Sequence, residues 1–222
     1  MLSKDILGMK FPDEFVIRFF FKTDLHKITG KVLELGCGSG NNLRLFYEYG
    51  WDVKGVDCTQ SAIDQAENNL FSIKKEYDLE GNYEVEFDDM LEYLKKDKSQ
   101  YDVIIFPSSI FYLSFENIKK VLSTISQNAL LKKGGYLFLK VLTPDDYRYG
   151  KGEQLDDKSF LINIEETGEK GALITFLNET EWITLLSDNF QFTELILLPL
   201  QYMNIQDNTR IFNSNIIIWG KI

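Results

Sequence analysis

The sequence predicts an α/β fold in which parallel strands alternate with helices. Three observations carry this. Short apolar runs alternate with amphipathic stretches from about residue 31 to residue 142, the rhythm of βα units. The glycine-rich turn Gly36-Cys37-Gly38-Ser39-Gly40 directly follows the first apolar run and precedes a helical pattern, as ligand-binding turns of open α/β sheets do. The 222 residues are 44% hydrophobic, enough for one sizeable core.

The elements follow in order. "KVLELG" (31–36) is the first strand, "NNLRLFYEYG" (41–50) a helix ended by Gly50, and "DVKGVD" (52–57) the second strand. Over 61–77, Ile63, Ala66, Leu70, Ile73 and Tyr77 share one helical face, and Ser61 with Asp64 resembles a capping box. "NYEVEF" (82–87) and "YDVIIF" (101–106) are the third and fourth strands. A helix carrying Ile118, Leu122, Ile125 and Ala129 is expected to stop at Gly134–Gly135, before a fifth strand, "GYLFLKVL" (135–142). The rhythm then changes. Residues 143–159 are polar and rich in turn formers, and 160–177 read as a hairpin around Gly168–Gly171. "TEWITLLSDN" (180–189) is a short helix with Thr180 as its cap. "FTELILLPL" (192–200) and "SNIIIWGKI" (214–222) are strands with no helix between them, so they should pair antiparallel. The expected organisation is one domain, 1–222, with an insertion at about 143–178.

Composition narrows the function. The formal charge is −10, from 24 Lys and Arg against 34 Asp and Glu, a poor match for nucleic acid, whose phosphates are neutralised by cations. The first residues lack the apolar core of a signal peptide, and no uncharged apolar run reaches the length of a membrane span. The two cysteines, Cys37 and Cys58, read as a reduced pair, so a cytoplasmic setting is expected. No metal-ligand spacing is present. His26 is the sole histidine and is expected at the surface rather than in catalysis, which leaves little room for hydrolases built on a histidine base.

Glycines let backbone approach a ligand closely. The spacing differs from the dinucleotide fingerprint G-x-G-x-x-G, because Asn41 stands where its last Gly belongs, and no Gly-Lys-Ser/Thr follows as a P-loop requires. Asp57 ends the second strand, 17 residues after Gly40, where a carboxylate can accept both hydroxyls of a ribose. Asp88–Asp89 follow the third strand, where a carboxylate can accept from an adenine amino group.

In order and spacing, "VLELGCGSG", "VKGVD", "FDDML", "YDVIIFPSSIFYL" and "LLKKGGYLFLKV" resemble the class I S-adenosylmethionine-dependent methyltransferases, over about residues 10–142. The resemblance implies a Rossmann-like three-layer sandwich with a seven-stranded, mainly parallel sheet of order 3-2-1-4-5-7-6 and one reversed strand in the last pair. The implied cofactor is S-adenosyl-L-methionine, with S-adenosyl-L-homocysteine as product. By matching positions, Glu34, Gly36, Cys37, Gly38 and Gly40 would surround the methionine part, Asp57 with Cys58 the ribose, and Asp89 with Met90 the adenine. Phe106 and Pro107 would line the region near the sulfonium. The segment "FPDEFVIRFF" resembles the N-terminal helix of small-molecule members, where Arg18 would meet the ligand carboxylate by a charge-assisted bond; an ordinary exposed arginine fits as well.

The fourth strand ends in "FPSS", not in the Asn/Asp-Pro-Pro-aromatic sequence of enzymes that methylate adenine or glutamine nitrogen. A small-molecule acceptor, through oxygen or nitrogen, is therefore the expectation. A base could come from Asp145, Asp146, Tyr147, Tyr149 or Glu153, with Ser108, Ser109 and Tyr112 orienting the substrate. Asp146, Tyr149 and Tyr112 are the foremost catalytic candidates, and 143–178 the expected lid. A cofactor-binding regulatory protein, an inactive paralogue, or a methyltransferase of a protein or glycan precursor are the alternatives. The oligomeric state is not legible.

Overall fold

The computed structural model describes residues 11–79, 81–164, 169–206 and 208–222. Seven strands form the large sheet: β1 (Lys31–Leu35), β2 (Asp52–Asp57), β3 (Tyr83–Phe87), β4 (Tyr101–Pro107), β5 (Leu131–Leu142), β9 (Glu194–Gln206) and β10 (Thr209–Lys221). A second sheet of three short strands, β6 (Gly152–Gln154), β7 (Ser159–Ile162) and β8 (Leu173–Thr175), lies between β5 and β9 in the chain. The large sheet runs β3-β2-β1-β4-β5-β10-β9, which is the expected order 3-2-1-4-5-7-6 when its own strands alone are counted. β1 to β5 pair parallel, and β10 is antiparallel to both β5 and β9.

Alternation along the central strands divides the core into two layers. Val32, Val103 and Ile105 face one side, where they meet α1 (Glu14–Lys22), α2 (Asn41–Glu48) and α3 (Gln60–Tyr77) through Phe19, Phe46 and Leu70. Leu33, Leu35, Ile104 and Phe106 face the other, against α4 (Met90–Lys96), α5 (Phe115–Gln127) and α6 (Glu179–Ser187) through Leu94, Leu122 and Trp182. Strands buried on both faces explain why the sequence reads there as near-continuous apolar runs. A third cluster joins the small sheet to the body: Phe160, Ile162, Ile174 and Phe176 pack with Phe111 and Leu142.

Several boundaries differ from expectation. Ser61 and Asp64 do not cap α3: the helix begins at Gln60 after Thr59, and it is Asp57 that accepts the Thr59 amide. α5 ends at Gln127 rather than Gly134, because Ala129 takes a left-handed φ of 49° and returns the chain to begin β5 at Leu131. The cap of α6 is Asn178 rather than Thr180, closing a reciprocal pair with Glu181. α4, capped by Asp89, has only 7 residues, too few for periodicity to show. The β7–β8 hairpin forms; part of its expected turn, 165–168, lies outside the described residues. β9 and β10 pair from 194–206 to 209–221, longer than expected, and residues 209–214 run beyond the end of β5.

Candidate active site

Strand order reverses between β1 and β4, whose connections lead to opposite faces of the sheet. The crevice at such a switch point, outside the carboxyl ends of the strands, is the ligand site of open α/β folds. A cavity of about 310 Å³ lies there. Gly36 contributes from the end of β1, Asp57, Cys58 and Thr59 from β2, Asp88, Asp89 and Met90 from the β3–α4 turn, and Ser108, Ser109, Tyr112 and Leu113 from the segment after β4.

The glycines have separate reasons. Gly36 has a φ of +80°, and an added Cβ would collide with that of Ser109; it lets the ends of β1 and β4 meet, and Ser109 Oγ donates to the Leu35 carbonyl. Gly38 has a φ of +52° with nothing within 4 Å of an added Cβ, so its face of the turn is open. Its amide donates to Asp57 Oδ2 at 2.9 Å, while the Thr59 amide donates to Oδ1 at 2.9 Å. Asp57 thus locks the turn to the end of β2. Each oxygen keeps a second lone pair for a further donor. Asp89 caps α4 through Oδ1, which accepts from Leu91 and Glu92 at 2.9 and 3.1 Å.

Of the other residues singled out in the sequence, Met90 and Cys58 line the cavity, Cys58 being exposed. The side chain of Cys37 instead enters the core, where burial pushes its thiol up, so only its backbone faces the turn's surroundings. Glu34 is 1% exposed. Its Oε1 accepts from Asn42 Nδ2 at 2.7 Å, its Oε2 has no partner, and burial pushes its carboxyl up to about 8. Asn42 also accepts the Asp13 amide at 2.8 Å, and Asp13 pairs with Lys140 at 2.6 Å, tying the N-terminal segment to the start of α2. Phe106 is wholly buried in the α4–α5 layer and does not line the cavity. Both faces of β4 are covered by core layers, so Phe106 is packed under helices and the wall is formed by Ser108 and Ser109, just beyond the strand's end at Pro107. Arg18 is exposed outside the cavity, its guanidinium 5.2 Å from the Phe15 ring centre. His26 packs against Phe21 with ring centres 4.9 Å apart, also outside it.

The three catalytic candidates separate. Tyr112 lines the cavity. Tyr149 packs edge-on against Phe160 and Phe176 in the small sheet. Asp146 is 3% exposed and already committed: Oδ2 accepts the Ser214 amide at 3.0 Å, Oδ1 accepts the Arg148 amide at 3.1 Å, and Arg148 Nε lies 3.1 Å from Oδ1. It anchors the segment after β5 to β10. Burial raises its carboxyl, opposed by the Arg148 charge.

Glu169 carries no signal in the sequence. The Tyr112 hydroxyl donates to its Oε1 at 2.8 Å, and Arg148 Nη1 lies 3.4 Å from the same oxygen. Tyr112 and Glu169 are 57 positions apart, and only folding the small sheet onto Phe111 and Leu142 brings them together.

A family model described as a methyltransferase domain matches residues 9–194. An uncharacterised protein of Haemophilus influenzae is 30% identical over 125 residues; the match takes in 56% of this chain and 46% of that protein, so the alignment spans about half its length. Among solved structures, a SAM-dependent methyltransferase of Methanosarcina mazei aligns with a TM-score of 0.67 and 22% identity, over 87% of this chain and 92% of that one. TehB of Haemophilus influenzae aligns at 0.66 with 18% identity, over 99% and 65%. The magnesium protoporphyrin IX methyltransferase ChlM of Synechocystis, solved with bound SAH, aligns at 0.62 with 18% identity, over 94% and 82%. No helix among the described residues is long and apolar enough to cross a membrane. With the family model matched along most of its length and the seven-stranded sheet in place, the chain belongs to the methyltransferase-domain family and has the class I fold of its S-adenosylmethionine-dependent members.

Proposed function

We propose that this protein transfers the methyl group of S-adenosylmethionine to a small-molecule acceptor, at oxygen or nitrogen. The observation that carries the reading is the cavity at the β1–β4 switch point, with the open face of Gly38 beside the Asp57 carboxylate. The residues fit the cofactor. Asp57 has two oxygens with lone pairs for the ribose hydroxyls. In this reading Asp89 and Met90 would take the adenine and the Gly36–Gly40 turn the methionine part. Glu34 is buried behind the turn and holds the start of α2 through the bond from Asn42. When bound, the cofactor supplies a methyl group on a sulfonium, already a good leaving group, so the chain's task is largely alignment.

The small sheet supports a small acceptor. It packs on Phe111 and Leu142 at the ligand edge, and Thr175 Oγ1 donates to the Leu113 carbonyl at 2.7 Å. Residues 143–178 in this reading are a lid that excludes water and fixes the acceptor. No lysine or arginine is among the described residues lining the cavity, consistent with an acceptor other than nucleic acid.

The test is calorimetry with S-adenosylhomocysteine, NAD and ATP, followed by a metabolite screen with labelled methyl donor. S-adenosylhomocysteine alone should bind, and at 100 times its Kd should stabilise the protein by about 2.7 kcal/mol. Binding of NAD without response to the sulfur nucleotide would refute the reading.

A further inference from the structure

We propose that Tyr112 and Glu169 form a proton-relay pair that takes the proton of a hydroxyl acceptor as that acceptor is methylated; this rests on the methyl-transfer reading above. Tyr112 is on the cavity wall, and its hydroxyl donates to Glu169 Oε1 at 2.8 Å. A phenol that donates still has lone pairs with which to accept from a substrate O–H. Glu169 is held from behind: Arg148 Nη1 lies 3.4 Å from Oε1, and Arg148 is fixed in turn by Asp146, bound to the Ser214 amide of β10. Asp146 and Arg148 are therefore positioning residues, and Tyr112 is the catalytic one. Burial and the neighbouring carboxylate push the Tyr112 phenol well above its ordinary range, so it keeps its proton at neutral pH and acts as a conduit rather than as the base.

The step balances. The acceptor oxygen forms its bond to the methyl carbon as the carbon–sulfur bond breaks, the electron pair of that bond staying on sulfur. The acceptor's proton passes to Tyr112 Oη, and the proton of Tyr112 passes to Glu169, which ends as a neutral carboxylic acid. No oxidant or further reactant is needed. An acceptor that arrives ionised has no proton to give and gains nothing from the pair.

That difference supplies the test. Wild type, Tyr112→Phe and Glu169→Gln are compared at pH 8 with phenol, which is protonated there, and benzenethiol, which is ionised. The readouts are transfer of labelled methyl, calorimetric affinity for S-adenosylhomocysteine, and the NMR shift of ¹³Cζ-labelled tyrosine against pH. Both variants should lose about 100-fold or more in phenol methylation while benzenethiol methylation stays within about threefold. Glu169→Gln, at a residue outside the cavity lining, should match wild type in affinity for S-adenosylhomocysteine, and the Tyr112 resonance should shift when the carboxylate that accepts its hydroxyl is replaced. Three results overturn the proposal: phenol methylation unchanged in both variants, equal losses with both probes, or a wild type that binds S-adenosylhomocysteine and methylates neither probe. Failure of wild type to bind S-adenosylhomocysteine instead refutes the function on which the pair rests.

Discussion

Replacing Glu34 by Gln should make the protein's stability markedly less sensitive to pH. Glu34 is 1% exposed, one carboxyl oxygen has no partner, and burial pushes the group from its ordinary value of 4.5 to about 8. Bonds from Asn42 and from the Leu43 amide oppose the rise; the nearby Asp57 and Asp13 charges add to it. The sign follows from proton linkage. Below about pH 4.5 the carboxyl is protonated in both folded and unfolded chains, and its contribution is fully present. Between there and about pH 8 only the unfolded chain ionises, so stability falls by about 1.4 kcal/mol per pH unit. The accumulated loss is on the order of 4 kcal/mol by pH 8.5. Glutamine keeps the bond from Asn42 and cannot ionise. Urea unfolding of both proteins at pH 5 and pH 8.5 isolates the term, since all other groups cancel in the difference. The variant should be close to wild type at pH 5 and more stable by several kcal/mol at pH 8.5. A wild-type-to-variant difference that does not change with pH would refute the argument and mean that Glu34 ionises freely in the folded state.

Asp57→Ala should weaken S-adenosylhomocysteine binding at least tenfold, about 1.4 kcal/mol, because it removes the hydroxyl acceptors and releases the Gly38 amide; calorimetry on a variant with unchanged circular dichroism reads this directly, and wild-type affinity would place the ribose elsewhere. Two alanine substitutions in one turn should part company in thermal melts. Gly36→Ala drives a Cβ into Ser109 and should unfold the protein or cost several kcal/mol, whereas Gly38→Ala meets no atom and should cost about 1–2 kcal/mol for its left-handed backbone, while impairing ligand binding.

The legible parts of the site are those whose residues are close in sequence to a strand end. Gly36–Gly40, Asp57 and Asp89 each sit where an apolar run stops, and the parallel sheet brings those ends to one edge. Phe106 lies away from the cavity because helices cover both faces of β4: Val103 and Ile105 enter one core layer and Ile104 and Phe106 the other, so an apolar run covered on both sides does not say which of its residues reaches a ligand. The commitments of Asp146 are not legible in sequence either. It lies in a polar stretch, and its burial comes from β10, which extends past β5 and offers it the Ser214 amide.

The sequence by itself determined the rhythm of strands and helices, the glycine turn, and the carboxylates that end β2 and β3, because hydrophobic periodicity and turn chemistry are local properties. The antiparallel closing pair also followed from local grounds, since no helix separates the two runs. Tertiary structure alone decided which side chains complete the cavity. The contact of Tyr112 with Glu169 spans 57 positions, and that of Asp146 with Ser214 spans 68. The first depends on the packing of Phe160, Ile174 and Phe176 against Phe111 and Leu142, the second on β10 running past the end of β5. Hydrophobic burial is non-directional, so the apolar pattern announces that these residues will be covered without saying by what; the partner is fixed only when the two sheets meet.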